Sequence, residues 1–567
     1  MDRNLIFAVA LTGLVMAVFL SPWYQNRFGH EIIIEQPAAP PPPGGEPGTT
    51  GVSRETTPPE ESAYVPAEPR SAPPGEIAQV DSRGEEETVT IANDILRISI
   101  STRGGIITEA TTLAYKGKTD DELAQLITPG EGWYGGSVTD GDLIIPFEEL
   151  LFTVSGMTEK LTLLTALLSD GRSITRSYEF EDNGYLLHVE TILDGPWVDP
   201  VVTYTWHGPI NDTEEPVRSL RIWPLSMLMR DDAYTYSKVA YLGQGDRESV
   251  SNGGEPRDSR VYTDESQKID AGRSRTGGSD TFSGELTWYG VRNKYFMTAA
   301  IPADRLHWEA SATYEPVAPT KWYNFSLSKP VTTGSTALDC YIGPISYYIL
   351  RDAGHQLTEI MELSWRFIRP ISIAFLWLLT KLREFIPNWG LVILVFAVFI
   401  KIVLSPLSYK SYVSMRKMSL LQPLIVALRE KHKNNPQKLH LETMDLYKRE
   451  GVNPFSSCLP TLLQMPVFFA LYPVVGRAFE LRQAMFIPHW IEDLSRPDPF
   501  YIIPIAMGIS MFFQMKPTMA DPNQKMTLYI MPVIMTILFA NFSSGLTLYW
   551  FLFTILSYFQ QRMHKTA

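Results

Sequence analysis

One lysine within an apolar segment is the first residue whose type and position could do chemistry. Residues 391–410 read LVILVFAVFIKIVLSPLSYK, and Lys401 is their first charge. A charge near the bilayer centre costs roughly 2.5–3.5 kcal/mol on insertion scales, so it usually has a function. Snorkelling is the alternative, but Tyr409 is eight residues or about 12 Å away along a helix, about twice the reach of a lysine. We therefore predict a functional intramembrane charge at Lys401.

The other apolar segments contain uncharged polar residues but no carboxylates. Between residues 389 and 560, every Asp and Glu falls in a loop between these segments. A lysine in such surroundings needs water or a visiting anion, which favours an open hydrophilic groove. Taken singly, each polar residue is more often a helix-packing residue. The residues that could line a groove are Gln464, Ser510, Gln514, Thr536, Asn541, Ser543, Ser544 and Thr547.

Sequence motifs of enzymes and metal sites are missing from the chain. His188, His207 and His307 do not have metal-ligand spacing, and the two cysteines, Cys340 and Cys458, form no CxxC motif. There is no glycine-rich phosphate loop, nucleophile elbow or HExxH motif. We therefore predict that the chain is not an enzyme and has no cofactor and no metal site.

The two halves of the chain differ in charge. Residues 1–345 contain 27 Lys and Arg against 49 Asp and Glu, a net charge of −22. Residues 346–567 contain 22 against 13, a net charge of +9. An acidic half joined to a basic, apolar half indicates two environments. Because the basic excess is modest and interrupted by apolar runs, we do not expect the chain to bind DNA.

The N-terminal residues 1–21 are predicted to form a signal-anchor transmembrane helix. Residues 4–20 are apolar, Arg3 precedes them, and SPWYQNRF follows in place of a small-x-small cleavage site. A cleaved signal peptide is the alternative. Residues 22–87 are rich in Pro, Gly, Glu, Ser and Thr and cannot bury enough apolar surface to fold. They are predicted to be a disordered tether.

Residues 88–345 have the texture of an antiparallel β domain. Runs such as RSITRSYEF, YLLHVETIL and VVTYTWHG alternate apolar and polar residues and are separated by turn residues. No long helical pattern interrupts them, so we predict one large β-sandwich.

Helical patterns replace the alternation from residue 346 onward. Residues 346–387 mix charges with apolar residues at helical spacing, which predicts an amphipathic helical region in the membrane interface. Residues 388–567 are predicted to form a five-helix core. With the N-terminal anchor, the fold class is an α-helical polytopic membrane protein with six transmembrane helices and a large all-β outer domain. The apolar segments of the core are about 389–407, 458–475, 500–515, 526–542 and 545–560.

Loop charges predict the orientation of these spans. Residues 409–455 contain nine Lys and Arg against four acids, whereas residues 476–499 contain three against four. The positive-inside rule places 409–455 in the cytoplasm, both termini inside and the acidic β domain outside. The 409–455 segment reads as two helices joined at HKNNPQ, an antiparallel hairpin with a Met-rich stripe. Mutual packing of the two helices is the favoured explanation of that stripe, and a soft docking surface beside a basic tip is the functional alternative.

Several of these stretches together resemble the YidC-type membrane protein insertases of bacteria. The most specific are IKIVLSPLSYKSYVSMRKMSLLQP (400–423), LYKREGVNPFSSCLPTLLQMPVFFALY (446–472) and FSSGLTLYW (542–550). DPFYIIPIAMGISMFFQMK (498–516) and MTLYIMPVIMTILFA (526–540) are similar as well. NDILRISISTRGGIITEA (93–110) and WYGVRNKYFMTAAIP (288–302) resemble the periplasmic domain of that family.

The resemblance implies a fold, a location and a set of partners. The outer domain would be a periplasmic β-super-sandwich, and the core would hold a groove open to the cytoplasm and to lipid. Such proteins reside in the cell inner membrane and help nascent membrane proteins to insert, alone or beside the Sec translocon. The implied partners are nascent membrane proteins, ribosome–nascent-chain complexes, Sec translocon components and the lipid bilayer.

The resemblance also implies roles for particular residues. Lys401 occupies the position of the groove charge that attracts the hydrophilic part of an incoming chain, where most members have Arg. Lys keeps the charge but lacks the planar five-donor fork of Arg. The predicted substrate groove comprises Lys401, Gln464, Met465, Phe468, Gln514, Asn541, Tyr549 and Trp550.

The resemblance also implies a contact with the ribosome, for which some members use a basic C-terminal extension. The tail after Gln561 is RMHKTA and has little basic character, so ribosome contact would rest more on the 409–455 hairpin. Its basic docking residues are Arg416, Lys417, Arg429, Lys431 and Lys433. A secondary transporter with a periplasmic domain is the alternative function, although no repeat symmetry or coupling carboxylate is visible in the sequence. An outer domain acting on cell-surface sugars is a second alternative, and it would need clustered carboxylates or a His/Glu pair.

Overall fold

A computed structural model gives the fold of most of the chain. The predicted signal anchor and nearly all of the predicted tether lie outside the described residues. The described residues are 85–118, 122–129, 133–180, 184–208, 210–211, 213–214, 238–251, 278–315, 322–332, 334–361, 363–365, 367–433, 435–451, 459–516 and 525–566.

Most of the described residues before Ile345 form strands, and antiparallel pairs connect these strands into one continuous sheet. The strands are β1 (Thr88–Ala92), β2 (Leu96–Ser101), β3 (Ile106–Lys116), β4 (Leu123–Ile127), β5 (Trp133–Asp140), β6 (Leu143–Pro146), β7 (Thr153–Met157), β8 (Leu161–Leu167), β9 (Ser173–Phe180), β10 (Leu186–Asp194), β11 (Pro200–His207), β12 (Lys238–Ser251), β13 (Gly278–Arg292), β14 (Phe296–Pro302), β15 (Trp308–Glu315), β16 (Trp322–Pro330) and β17 (Ser335–Pro344).

The sheet folds over a buried apolar core. One run of pairs connects β2, β3, β5, β11, β16 and β15, and another connects β14, β17, β10, β9 and β8. The long strand β13 joins the two runs, because residues 278–284 pair with β15 and residues 289–292 pair with β14. The core between the strands includes Trp206, Tyr204 and Leu187, all fully buried.

Side-chain alternation explains why these segments are strands. In β10, Val189, Thr191 and Leu193 are buried, while His188 and Glu190 on the other face are half-buried. Successive side chains of a strand point to opposite faces, so period-two apolarity buries one face of each strand. The all-β character predicted for this part of the chain is confirmed.

The remaining elements are helices, which pack around a second apolar core and also expose apolar side chains. They are α1 (Tyr347–Ala353), α2 (Arg369–Phe385), α3 (Trp389–Leu420), α4 (Gln422–Lys431), α5 (Pro436–Arg449), α6 (Leu459–Arg477), α7 (Ile502–Met515), α8 (Lys525–Phe539) and α9 (Ser544–Thr566). A second core cluster joins α2, α3, α6, α7 and α9. In α2, Leu376 and Leu379 are fully buried, whereas Trp377 and Phe385 are exposed, as in an amphipathic interfacial helix.

Exposed apolar side chains follow helical spacing on three of the core helices. Large exposed apolar surfaces of this kind mark contact with lipid or another protein. They are Leu391, Val395, Val398, Phe399 and Ile402 on α3, Ile502, Ile505, Ile509 and Phe513 on α7, and Tyr529, Ile530, Val533 and Ile534 on α8. By length and composition, the described residues contain one helix able to cross a membrane, Trp389–Pro406 within α3. Two shorter apolar helices are Ile502–Met515 and Leu528–Phe539, and the count of six spans stays a prediction.

Two helices follow α3 in the segment for which the sequence predicts a hairpin. Residues 432–435 join α4 to α5, and Leu421 and Ile425 pack against Leu446 and Tyr447. The preceding helix, α3, continues through Pro406 as far as Leu420. The apolar segment and the first part of the loop therefore form one helix of 32 residues.

Candidate functional site

The Lys401 side chain lies between α3 and α9. Its Nζ donates a hydrogen bond to Ser557 Oγ over 2.7 Å and lies 4.5 Å from the centre of the Phe553 ring. The residue is 7% exposed, so protein atoms enclose most of it. Ser557 Oγ donates in turn to the Phe553 carbonyl over 2.7 Å, which fixes the position of the hydroxyl. The ammonium is thereby held by a hydroxyl and an aromatic face.

The pairing places Lys401 deep within the bundle. Lys401 is twelve residues after Trp389 and Ser557 is thirteen residues after Ser544, so each lies about 18–20 Å along its helix. One turn later, Gln560 Nε2 donates to Ser405 Oγ over 2.8 Å. The two hydrogen bonds form successive rungs between α3 and α9, which run side by side in the same direction.

Tyr549 and Gln464 extend the polar set toward α6. The Tyr549 ring lies 5.9 Å from Phe553 and 6.1 Å from Phe396, so it connects the lysine site to the core. Tyr549 is fully buried, and its hydroxyl faces buried Gln464. Among the described residues, neither the Tyr549 hydroxyl nor Gln464 Nε2 makes a hydrogen bond of good geometry, although the two side chains lie close enough to interact. These two buried groups keep hydrogen-bonding capacity.

An aromatic cluster lies beside this polar set. The Phe468 ring is 5.5 Å from Trp550, edge to face, and Trp550 is 5.4 Å from Phe539. Met465, one turn before Phe468 on α6, is 38% exposed. The predicted groove residues Phe468 and Trp550 therefore touch, and Met465 presents a flexible apolar side chain close by on the same helix.

Two predicted groove residues lie on other elements. Gln514 is half-buried near the end of α7, and Asn541 is buried in the turn between α8 and α9. Neither is among the contacts described above for Lys401. The cluster that the structure assembles comprises Lys401, Gln464, Phe468, Tyr549 and Trp550.

Sequence reasoning missed three residues of this site, Phe553, Ser557 and Gln560. A signal for two of them exists in the last helix, where Thr554, Ser557 and Gln560 recur every three residues on an otherwise apolar α9. All three are buried, so polar residues at this spacing mark one internal face. That face is the one against which Lys401 packs.

Two family descriptions cover the described part of the chain almost completely. Residues 381–567 match the model of the 60Kd inner membrane protein family, and residues 88–378 match that of the YidC periplasmic domain. A relative named membrane protein insertase YidC, from Chlorobaculum tepidum, is 30% identical over 99% of this chain and 94% of its own length.

The chain belongs to the YidC family of membrane protein insertases. A further YidC insertase, from Francisella philomiragia, is 32% identical over 84% of both chains, and one from Coxiella burnetii is 30% identical over 89% of this chain and 87% of its own. A crystal structure of an active YidC insertase covers 87% of this chain and 94% of its own at 18% identity and a TM-score of 0.36. The resemblance read from the sequence is confirmed, and β1–β17 correspond to the YidC periplasmic domain.

Three of the predicted docking residues are exposed at the surface of the 409–455 segment in this YidC-family chain. Lys417, Lys431 and Lys433 are exposed and Arg429 is half-buried, while the Arg416 side chain lies outside the described part. Apolar side chains are exposed beside them, with Leu420 at 72% and Leu441 at 68%. The hairpin therefore presents basic and apolar surface together.

The described residues contain no group of three or more His, Cys, Asp or Glu side chains arranged to hold a metal ion. The predictions that the chain is not an enzyme and needs no cofactor stay predictions.

Proposed function

We propose that this chain inserts nascent membrane proteins into the inner membrane and consumes no nucleotide in doing so. The observation that carries the proposal is the Lys401 ammonium, held about 18 Å along α3 by the Ser557 hydroxyl. A cation at this depth is costly and is usually retained for function. It suits a polar or acidic part of a chain that must enter the membrane transiently.

The contacts of Lys401 support an exchange of partners. A client carboxylate is a stronger acceptor for an ammonium than a hydroxyl, because the carboxylate carries a full negative charge that attracts the ammonium, whereas the hydroxyl offers only a dipole. We therefore propose that an acidic or polar client segment displaces Ser557 from Lys401. Ser557 loses little, since its hydroxyl keeps its bond to the Phe553 carbonyl. Entry requires α9 to move away from α3 or a neighbouring helix to part, since Lys401 is enclosed.

The neighbouring residues divide into a polar and an apolar part, which fits an amphipathic client. The Tyr549 hydroxyl and Gln464 Nε2 have hydrogen-bonding capacity to offer the client backbone. Met465, Phe468 and Trp550 offer an apolar and aromatic surface to the transmembrane segment itself. Gln514 and Asn541 are proposed to line the hydrophilic groove at other levels.

Release to lipid supplies the driving force of the proposed reaction. A client segment of about 20 apolar residues spans the hydrocarbon core, and its transfer into lipid is favourable by burial of apolar surface. The exposed apolar faces of α3, α7 and α8 support a lipid environment on that side of the core. The polar cluster would then lower the barrier to entry of the client's polar segment. Partitioning of the apolar segment into lipid would determine that the client ends as an inserted membrane protein.

The hairpin is the proposed contact for ribosome–nascent-chain complexes and Sec translocon components. Its exposed lysines suit the phosphates of ribosomal RNA, and exposed Leu420 and Leu441 suit an apolar protein surface. This function places α4 and α5 in the cytoplasm, both termini on the same side and β1–β17 in the periplasm. The proposed arrangement requires a multi-pass topology, in which the predicted N-terminal anchor is one of the spans.

Charge reversal at Lys401 tests the proposal. Lys401→Glu and Lys401→Ala are compared with Lys516→Glu, a reversal at an exposed lysine at the end of α7. In proteoliposomes and in a depletion strain, we expect Lys401→Glu to block insertion of single-span clients with acidic amino-terminal tails, and Lys516→Glu to insert them normally. Photo-crosslinkers at positions 465 and 549 should capture a stalled nascent chain. Wild-type insertion of every such client by Lys401→Glu would refute the charge mechanism.

A further inference from the structure

Residues 478–501 form the loop between α6 and α7. The N-terminal part of this loop packs into the β domain. The Phe479 ring lies 4.7 Å from Tyr115, 5.4 Å from Phe296 and 6.3 Å from Tyr295, all edge to face. Phe479 is 8% exposed and belongs to the apolar core of the β domain. We call residues 478–501 the outer loop.

Arg482 binds the β domain through several groups at once. Its Nε donates to Glu214 Oε1 over 2.5 Å, and one terminal nitrogen donates to the Lys116 carbonyl over 2.7 Å and the Thr213 carbonyl over 3.3 Å. The guanidinium also lies 5.4 Å from the Phe296 ring, and the side chain is 4% exposed. Gln483 adds a hydrogen bond of 2.8 Å to the Gly117 carbonyl. A buried planar fork with several acceptors fixes position as well as charge.

The second half of the outer loop holds the start of α9. The Ser544 amide donates to the Arg496 carbonyl over 2.6 Å, and the Gly545 amide donates to the Leu494 carbonyl over 2.9 Å. These are among the first amides of α9, which have no partner within the helix. The adjacent Ser495 hydroxyl accepts a hydrogen bond of 2.7 Å from the Tyr295 hydroxyl of the β domain. One short segment therefore contacts the β domain and the first turn of α9 together.

The same loop packs against the start of α3 and close to the end of α6. Asn388 Nδ2 donates to the Phe486 carbonyl over 3.0 Å, and Phe486 lies so close to Gly390 that a Cβ there would meet its ring at 1.9 Å. At Gly545, a Cβ would lie 2.6 Å from Val475 of α6 and 3.0 Å from Ile393 of α3. The starts of α3 and α9 and the end of α6 therefore meet beneath the outer loop.

These contacts connect the β domain to the three helices that carry the proposed site. Lys401 is on α3, Gln464 on α6 and Tyr549 on α9. Coupling between distant groups travels through rigid, packed elements of this kind. We propose that the outer loop transmits the docked position of the β domain to these helices and that Arg482 is its positioning residue. This inference rests on the proposed function, because the group whose position the outer loop would control is the Lys401 ammonium.

The test separates positioning from loss of fold by comparing two clients. One client has an acidic amino-terminal tail, and the other has the same tail with its acids replaced by amides. Arg482→Ala, in the full chain in proteoliposomes, should lower the ratio of acidic-tail to neutral-tail insertion rates by roughly 2- to 30-fold, the range for mutations along coupling networks. A merely unfolded fraction would lower both rates equally and leave the ratio unchanged.

Further variants complete the experiment. Arg482→Lys keeps the charge beside Glu214 but has no fork to reach the carbonyls, so we expect an intermediate ratio. Glu492→Ala, an exposed residue of the same loop, should behave as the wild type. Phe479→Leu keeps apolar volume in the β domain core and should lower the ratio less than Arg482→Ala. An unchanged ratio in Arg482→Ala would overturn the inference.

Failure of the inference and failure of the proposed function give different results. If Lys401→Ala lowers acidic-tail insertion while Arg482→Ala leaves the ratio unchanged, positioning by the outer loop is wrong and the proposed function stands. If Lys401→Ala also leaves the ratio unchanged, the charge mechanism itself is wrong.

Discussion

Replacing Lys401 by methionine separates the contribution of its charge to stability from its contribution to function. Methionine has a similar length and an adaptable side chain, so it can fill the space between α3 and α9 without the charge. Ser557 keeps its hydrogen bond to the Phe553 carbonyl and is not left without a partner. Lys401→Met therefore removes the cation with little other damage.

The expected effect on stability is small because opposing terms are of similar size. A lysine at the helix centre costs roughly 2.5–3.5 kcal/mol in the membrane. A hydrogen bond from a charged group contributes about 1.5–3 kcal/mol, which applies to the 2.7 Å bond to Ser557. A desolvated cation–π contact contributes about 2 kcal/mol, which applies to Phe553 at 4.5 Å. Lys401→Met should therefore change the free energy of unfolding by less than about 2.5 kcal/mol.

The expected effect on function is larger and depends on the client. At an effective dielectric constant of about 20, a client carboxylate that has approached to about 8 Å from the ammonium, before it displaces Ser557, gains roughly 2 kcal/mol, or about 30-fold in an equilibrium constant. Lys401→Met should therefore slow insertion of an acidic-tail client by up to about 30-fold. The same client with a neutralised tail should be affected much less.

The assay measures both quantities on the same protein. Thermal unfolding in detergent reports stability, and protease protection of the client in proteoliposomes reports insertion. Lys401→Arg is the charge-conserving control and should insert the acidic-tail client. Equal losses for both clients, or a large fall in thermal stability with normal insertion by the remaining folded protein, would refute an electrostatic role.

Two further predictions concern the outer loop and the helix packing. Burial raises the pKa of Glu480 above its ordinary value of 4.5, so the folded state binds a proton more tightly than the unfolded state. The stability that this tighter proton binding contributes is present below the ordinary pKa and is lost as pH rises toward the raised pKa. Glu480→Gln should therefore reduce the fall in the thermal unfolding midpoint between mildly acidic and neutral pH. An unchanged pH dependence of the midpoint would contradict this. Gly508→Ala should destabilise the core by about 1–3 kcal/mol, because its Cβ would lie 2.0 Å from Thr536 Oγ1. Gly476→Ala, where the nearest atom is 4.0 Å away, is the matched control in thermal unfolding.

The periodicity of the sequence was enough to locate most elements. The alternation in YLLHVETIL predicted a strand, and β10 covers Leu186–Asp194 with one face buried. The five apolar segments of the core each contain a helix, because apolar runs of that length favour helices that satisfy their own backbone groups. Element bounds were less predictable, since α3 continues through Pro406 to Leu420.

The residue types of the proposed site were also visible in the sequence. Lys401 is conspicuous because a charge interrupts an apolar run, and the amide residues are visible as polar residues in other apolar segments. Met465 and the aromatic residues came from the family resemblance. The role of each residue stays a proposal.

What the sequence by itself determined was therefore local: which segments alternate with a period of two, which are apolar and where one charge interrupts them. The tertiary structure decided which side chains meet. Ser557 is 156 residues from Lys401, and their hydrogen bond depends on the rotation and axial register of α9 against α3. Arg482 likewise reaches Glu214 across 268 residues. Such registers follow from the packing of whole surfaces, because each interface sums many small contacts that no single segment encodes.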